Sequence, residues 1–174
     1  WTGGIEPALE AGRLQVQTSL AQGRVFNDGA APDLGADATT HNVVFSAYYV
    51  NGRSSFDTSQ PSLRRLTLRA NGSIGEDEVI PGVENLQVQL GIDTNGDGGV
   101  DRYVDGDDPL VTDDAAIVAV RLWMLVGTPA DDQGWSDTAS YPTPDADLGD
   151  LVAGSADYPA SMRRMQISKT IYLN

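Results

Sequence analysis

Alternation of apolar and polar residues is the pattern that recurs along this chain. The clearest case is Val83–Ile92, where Leu86, Val88 and Leu90 alternate with asparagine and glutamine. Side chains that alternate in this way point to opposite faces of a β-strand, so that one face packs and the other meets polar surroundings. The pattern therefore predicts a fold made mainly of antiparallel β-strands.

Other segments predict the rest of the sheet. Residues 117–126 are almost all apolar, which is too short a run for a membrane-spanning helix and is typical of a central strand covered on both faces. Shorter predicted strands cover residues 14–20, 43–50, 65–70 and 165–173. Residues 6–11 are expected to form a single helical turn before the first strand.

Two segments, residues 27–40 and 127–159, are rich in glycine, aspartate and proline and show no periodicity. Both predict long surface loops. A chain of 174 residues without an internal repeat is expected to form one domain over residues 1–174. Because it begins with Trp1 and not with methionine, we expect it to be a piece of a longer precursor.

The charge balance narrows the classes of partner. Asp and Glu number 25 against 11 Lys and Arg, which gives a formal net charge of −14. Such a surface repels nucleic acid and anionic membranes, so nucleic acid is excluded as a partner. It also attracts divalent cations, although solubility is the commoner reason for an acidic surface. The absence of cysteine excludes disulfides, thiolate metal sites and a cysteine nucleophile.

One acidic segment, Asp93–Asp101, matches the loop pattern DxNxDGxxD, in which oxygen ligands converge on a hard cation. Alternate side chains point inward as such a loop curls, and Gly98 takes the sharp turn. The predicted ligands are Asp93, Asn95, Asp97, the carbonyl of Gly99, Asp101 and Asp105. The sequence therefore predicts a structural calcium site.

The loop is not an EF-hand, because Val104 stands where that motif has a bidentate glutamate and the flanking segments are strand-like. Asp105, Asp107 and Asp108 are candidates for the missing carboxylate. Without a bidentate ligand the dissociation constant for calcium is expected to be about 10⁻⁴ to 10⁻³ M. The alternative is an Asp/Gly-rich turn that binds no ion.

Catalytic candidates are few. His41 is the only histidine, and no serine lies in a nucleophile motif such as GxSxG. Carboxylate pairs such as Asp113-Asp114 and Asp131-Asp132 are expected by chance in so acidic a chain. The sequence therefore predicts a protein that is not an enzyme.

Residues 83–103 resemble the central block of PilW-type minor pilins, in which a GVENLQVQ strand leads into an Asp/Gly loop. Residues 118–126 (VAVRLWMLV) are similar to the next strand of that family, and residues 163–174 are similar to its closing strand. The resemblance is best over residues 79–174 and poor over residues 1–70.

The resemblance implies an α+β pilin-like head whose N-terminal helix is absent from this chain. It implies a minor pilin head that joins other minor pilins, and a tip adhesin, to prime type IV pilus assembly and to form the tip complex. Adhesion and twitching motility are the associated processes. The protein would face the periplasm before assembly, anchored in the inner membrane only through the missing helix, and would then stand at the extracellular pilus tip.

Two alternatives remain at this point. One is a pseudopilin of a type II secretion system, which shares the architecture. The other is a free-standing calcium-dependent adhesin or carbohydrate-binding module, with Trp135, Tyr141 and Tyr158 as its contact face.

Overall fold

The structure, a computed structural model, describes residues 6–128 and 130–173. It is mainly β, with 47% of residues in strands, which confirms the predicted class of fold. The described residues contain no helix, so the α part of the predicted α+β head is not seen, and residues 6–10 have no regular secondary structure where a helical turn was predicted. Nor do they contain a helix long and apolar enough to cross a membrane.

Contacts divide the chain into two compact units. The first comprises residues 1–48 and 64–77, and the second comprises residues 49–63 and 78–174. This division does not test whether the two units fold together. The single domain over residues 1–174 therefore stays a prediction.

The first unit contains a three-stranded antiparallel sheet in the order β2-β1-β3. Its strands are β1 (Ala11–Thr18), β2 (Gly23–Asp28) and β3 (Thr39–Asn42). Gln15 in β1 is fully buried, and its amide donates hydrogen bonds to the carbonyl of Ala8 and to Asn42 Oδ1. The strand bounds also show that the predicted loop over residues 27–40 overlaps the end of β2 and the start of β3.

A second three-stranded sheet has the order β4-β5-β6. The strands are β4 (Ser46–Asn51), β5 (Ser62–Leu68) and β6 (Ile74–Pro81), and each has residues in both units. The basic side chains of β5 meet acidic side chains of β6, with Arg64 and Glu76 2.9 Å apart. The predicted strands over residues 43–50 and 65–70 thus exist with shifted ends, whereas β6 was missed.

The second unit is built on a four-stranded antiparallel sheet in the order β12-β9-β7-β8. Its strands are β7 (Val83–Asp93), β8 (Arg102–Asp105), β9 (Ala116–Gly127) and β12 (Arg164–Tyr172). The predicted strands over residues 83–92, 117–126 and 165–173 are confirmed, and β9 lies inside the sheet as predicted.

The two faces of β9 differ in burial. Ala119, Trp123 and Leu125 are at most 3% exposed, whereas Leu122 and Met124 on the other face are half-buried. The prediction that β9 is covered on both faces is therefore wrong. One face packs against residues of the long segment between β9 and β12, and Leu151 joins Trp123 and Leu125 in the core.

That long segment is irregular, as predicted. It contains only two short strands among its described residues, β10 (Ser140–Tyr141) and β11 (Leu151–Val152), which pair with each other. We call residues 128–163 the crossover segment, since it leads from the centre of the sheet to its edge.

Candidate functional site

The predicted calcium loop connects β7 to β8 at one end of the four-stranded sheet. The amide of Asp101 donates to the carbonyl of Ile92 at 2.9 Å, which closes the loop at its base. Gly96 and Gly98 both have a φ of 82°, a left-handed conformation that glycine adopts without strain. The sequence pattern thus gives a tight loop at the predicted place.

Asp93, the last residue of β7, is 8% exposed and organises the first half of the loop. Its carboxylate accepts hydrogen bonds from the amides of Gly98 at 2.7 Å, Gly96 at 2.7 Å and Asn95 at 3.0 Å. These donors, with Gly98 first, lower the pKa of Asp93 because they stabilise its ionised form.

Asp101 closes the second half of the loop. Its carboxylate accepts hydrogen bonds from the hydroxyl and the amide of Thr94, each at 2.7 Å, and from the side-chain amide of Asn95 at 2.9 Å. The hydroxyl of Thr94 is the main cause that lowers the pKa of Asp101, and it outweighs the repulsion from Asp93. The two carboxylates are therefore held ionised close to each other.

The side chains of Asn95 and Asp97 also accept hydrogen bonds from amides of the loop. Asn95 Oδ1 accepts from the amide of Asp97 at 2.9 Å, and Asp97 Oδ1 accepts from the amide of Gly99 at 2.7 Å. Every predicted ligand side chain from Asp93 to Asp101 thus accepts a hydrogen bond from within the loop. Asx turns of this kind stabilise a tight loop with or without a cation.

Asp105 lies apart from this group. It is the last residue of β8, opposite Gln89, whereas the loop joins the strands at the pair Ile92 and Arg102. Its carboxylate accepts a hydrogen bond from Gln89 Nε2 at 3.3 Å. The structure therefore brings together the predicted ligands from Asp93 to Asp101 but leaves Asp105 along the strand.

The donor set suits calcium in its chemistry, since it consists of carboxylate, amide and carbonyl oxygens. In the structure, the side-chain oxygens of these residues already accept hydrogen bonds from within the loop. Within residues 6–128 and 130–173, no group of three or more His, Cys, Asp or Glu side chains stands in an arrangement that could hold a metal ion. Calcium binding would therefore require loop carboxylates to exchange their present hydrogen-bond donors for the ion.

A buried charge network, which the sequence reasoning missed, lies at the other end of the sheet. The guanidinium of Arg164 in β12 donates two hydrogen bonds to Glu84 in β7, at 2.6 and 3.1 Å. It also donates to the carbonyl of Pro159 at 2.9 Å and lies 3.5 Å from the carboxylate of Asp137. The Arg164 side chain has no exposed surface.

The network extends into the crossover segment through Asp137. Its carboxylate accepts from the hydroxyl of Tyr141 at 2.7 Å and from the amide of Ala139 at 2.9 Å. Burial alone would favour the protonated form, but the hydrogen bonds from Tyr141, Ala139 and Arg164 outweigh it and lower the pKa of Asp137. Burial and the hydrogen bond to Asp137 raise the pKa of Tyr141 to about 12.

This network fastens the crossover segment to the sheet. Tyr141 and Tyr158 are partly buried against the core of Trp123, Leu125 and Leu151. The arrangement does not form an exposed aromatic face from Trp135, Tyr141 and Tyr158, because only Trp135, 42% exposed beneath Arg163, stands at the surface. These are the residues that the adhesin alternative would use.

The catalytic candidates are dispersed. His41 lies on β3, exposed, with its ring 3.1 Å from the hydroxyl of Thr39. Asp132 pairs with Arg163, and Asp131 accepts from Ser161, so both hold the two ends of the crossover segment together. None of these contacts forms a nucleophile and base pair.

Comparison with known proteins gives one family. The model of a family described as PilW, type IV pilus-assembly protein W, matches residues 47–174. No curated protein and no solved structure matches the chain significantly. The family is a pilus-assembly family and not a known enzyme family. The match covers most of the chain, including β7, the Asp93–Asp101 loop, β9 and β12, and the chain therefore belongs to the PilW family of type IV pilus-assembly proteins.

Proposed function

We propose that this chain is the head of a minor pilin that primes type IV pilus assembly together with other minor pilins and then stands in the tip complex. The observation that carries the proposal is the family match over residues 47–174, which contains the whole four-stranded sheet. Because the matched family is a type IV pilus-assembly family, we prefer this role to that of a type II secretion pseudopilin.

The architecture supports an assembly role by its surface. A strand-rich scaffold with irregular polar segments offers a large area for partner subunits and needs no catalytic group. In this proposal the protein faces the periplasm before assembly and is carried to the cell exterior at the pilus tip. Other minor pilins are its partners, and a tip adhesin is a further one.

Deletion of the gene in its own bacterium tests this role. The number of surface pili and the twitching zone are expected to fall while the amount of major pilin in the cell stays unchanged. Re-expression of the full-length gene restores both. Normal piliation and normal twitching in the deletion strain would refute the role.

We further propose that the Asp93–Asp101 loop binds calcium and that the ion is structural. Asp93, Asn95, Asp97, the Gly99 carbonyl and Asp101 would supply the oxygens. Two observations support this. The ionised carboxylates of Asp93 and Asp101 repel each other, and the loop lies between two paired strands whose spacing an ion would fix.

A thermal unfolding series with calcium, magnesium and chelator tests this second proposal. With a dissociation constant of about 10⁻⁴ to 10⁻³ M, 10 mM calcium is expected to stabilise the fold by about 1.4 to 2.7 kcal/mol. Asp97→Asn should remove most of the shift, whereas Asp157→Asn, at an exposed residue of the crossover segment, should retain it. Identical melting in calcium and chelator would contradict calcium binding and leave the pilus role untouched.

A further inference from the structure

The last strand, β12, leaves one edge of the four-stranded sheet open. It pairs with β9 through nine consecutive residue pairs without a register shift. The opposite edge is β8, which is only four residues long. Long regular edges without proline or a bulge are the ones that accept a further strand, and β12 has neither. Its one exposed lysine, Lys169, disfavours strands that do not bring a carboxylate to meet it.

The register fixes which backbone groups are free. Leu173 donates to the carbonyl of Val118, and the carbonyl of Arg163 accepts from Thr128, so odd-numbered residues of β12 are hydrogen-bonded to β9. In an antiparallel pair the alternate residues point their N–H and C=O groups away. The outward groups therefore belong to Gln166, Ser168, Thr170 and Tyr172, as well as to Arg164. Among the described residues these have no backbone partner on that side.

The side chains along this edge define what fits it. Met165 and Ile171, which are 59% and 45% exposed, lie on the half-buried face of the sheet with Ile167. The alternate residues on the other face are the polar Gln166, Ser168 and Thr170. An added strand must therefore alternate apolar and polar residues in the same register.

Charge adds a further requirement. No acidic residue follows Asp157 in this acidic chain, and Lys169 is an exposed charge on β12. Lys169 lies at a position that is not hydrogen-bonded to an added strand, where side chains on neighbouring strands come closest. A carboxylate on the incoming strand opposite Lys169 is therefore favoured. A second copy of the chain supplies no carboxylate from its own β12 and brings a further charge of −14.

We propose that β12 is a docking edge for an extended segment of a partner protein, which adds a fifth strand to the sheet. The segment alternates apolar and polar residues and places a carboxylate opposite Lys169. The inference names the kind of contact by which the proposed pilin head holds a partner subunit, and in that sense it rests on the proposed function. It does not depend on calcium.

A peptide binding experiment on the 174-residue chain tests the edge. The probe is the acetylated and amidated peptide TVTETVTVT, whose glutamate faces Lys169 when the peptide pairs antiparallel to β12. Binding is followed by amide chemical shifts and by hydrogen exchange. The amides of Gln166, Ser168, Thr170 and Tyr172 are expected to exchange fast in the free protein and to become protected with peptide, while those of Ile167, Lys169 and Ile171 are protected in both.

Two variants give matched controls. Ser168→Pro removes one outward N–H without touching the pairing with β9, and should weaken binding by at least about tenfold. Ser168→Ala keeps that N–H and should bind as the parent does. Lys169→Glu should lower the affinity for the glutamate peptide and raise it for TVTKTVTVT.

Three results would overturn the proposal. The first is protection of the even-numbered amides in the free monomer, and the second is equal binding by Ser168→Pro and Ser168→Ala. The third is a dimer in sedimentation whose interface protects β12, since the occupant would then be a second copy. If Ser168→Pro abolishes peptide binding but the full-length protein with that change still supports normal piliation, the docking edge is not used in assembly. The deletion test decides the pilus role separately.

Discussion

Arg164 and Glu84 are separated by 80 residues in the chain, yet one guanidinium and one carboxylate join them through two hydrogen bonds. Their side chains are 0% and 7% exposed, so the pair is shielded from water. The pair links the outer strand β12 to β7 across β9, and Asp137 ties the crossover segment to the same guanidinium. One arginine thus holds three parts of the second unit together.

Removal of this arginine is predicted to destabilise the protein strongly. Arg164→Ala leaves the carboxylates of Glu84 and Asp137 buried without a cation, which costs about 3 to 5 kcal/mol. Urea unfolding measures the loss. The neighbouring Arg163 is the control, because its side chain is 53% exposed in its pair with Asp132, and Arg163→Ala should cost less than about 1 kcal/mol. Equal losses for the two variants would show that burial of the network is unimportant.

Tyr141 is predicted to limit stability at alkaline pH. Its folded pKa of about 12 lies above the ordinary value of 10.0, so its contribution is complete below pH 10 and is lost as the pH rises toward 12. Tyr141→Phe removes the hydrogen bond to Asp137, lowers stability at pH 7 by about 2 kcal/mol and flattens the decline above pH 10. The measurement is the free energy of unfolding against pH. A parent and variant with parallel alkaline declines would contradict the assignment.

Gly98 is predicted to be required by the Asp93–Asp101 loop. Its φ of 82° is unfavourable for any residue with a Cβ, so Gly98→Ala should cost about 1 to 2 kcal/mol. Gly106→Ala is the matched change, because Gly106 has no positive φ and a Cβ added to its backbone would meet no atom within 4 Å. Thermal unfolding without calcium separates backbone strain from ion binding, and an unaffected Gly98→Ala protein would argue against the loop conformation.

The unequal faces of β9 give a prediction about packing. Leu125 is fully buried, and Leu125→Ala is expected to cost about 2 to 5 kcal/mol through lost contacts and a cavity. Leu122 lies on the half-buried face of the same strand, so Leu122→Ala should cost clearly less. Chemical unfolding of both variants checks the difference. A larger loss at Leu122 would mean that a further element covers that face in solution.

The sequence predicted the strands whose apolar residues are packed. Val83–Asp93 and Ala116–Gly127 alternate or run apolar because they form the core of the second unit. Among the strands that the sequence did not predict, β2, β3 and β6 are largely exposed, and they are held by pairing with neighbours more than by burial. Pairing depends on residues distant in the chain, which local periodicity does not report.

The sequence located the candidate loop because its Asp, Asn and Gly residues lie at fixed intervals within residues 93–101. Such a pattern can be recognised without knowledge of contacts to distant parts of the chain. Its hydrogen bonding was not predicted, since a carboxylate that can bind calcium can equally accept the amides of Gly96 and Gly98. The Arg164 network was invisible for another reason. Alternation places Arg164 on one face of β12, but nothing near it in the chain identifies Glu84 as its partner.

The order of Glu84, Asp137 and Arg164 along the chain has a consequence for biosynthesis. Glu84 and Asp137 are both synthesised before Arg164, so the second unit cannot complete its interior until β12 has been synthesised. Pairings between such distant residues form late and slow the search for the native state. A chain that stops before β12 keeps two uncompensated carboxylates and an unfinished sheet, and is expected to remain open to proteases. Synthesis of β12 is thereby a condition for the survival of the second unit.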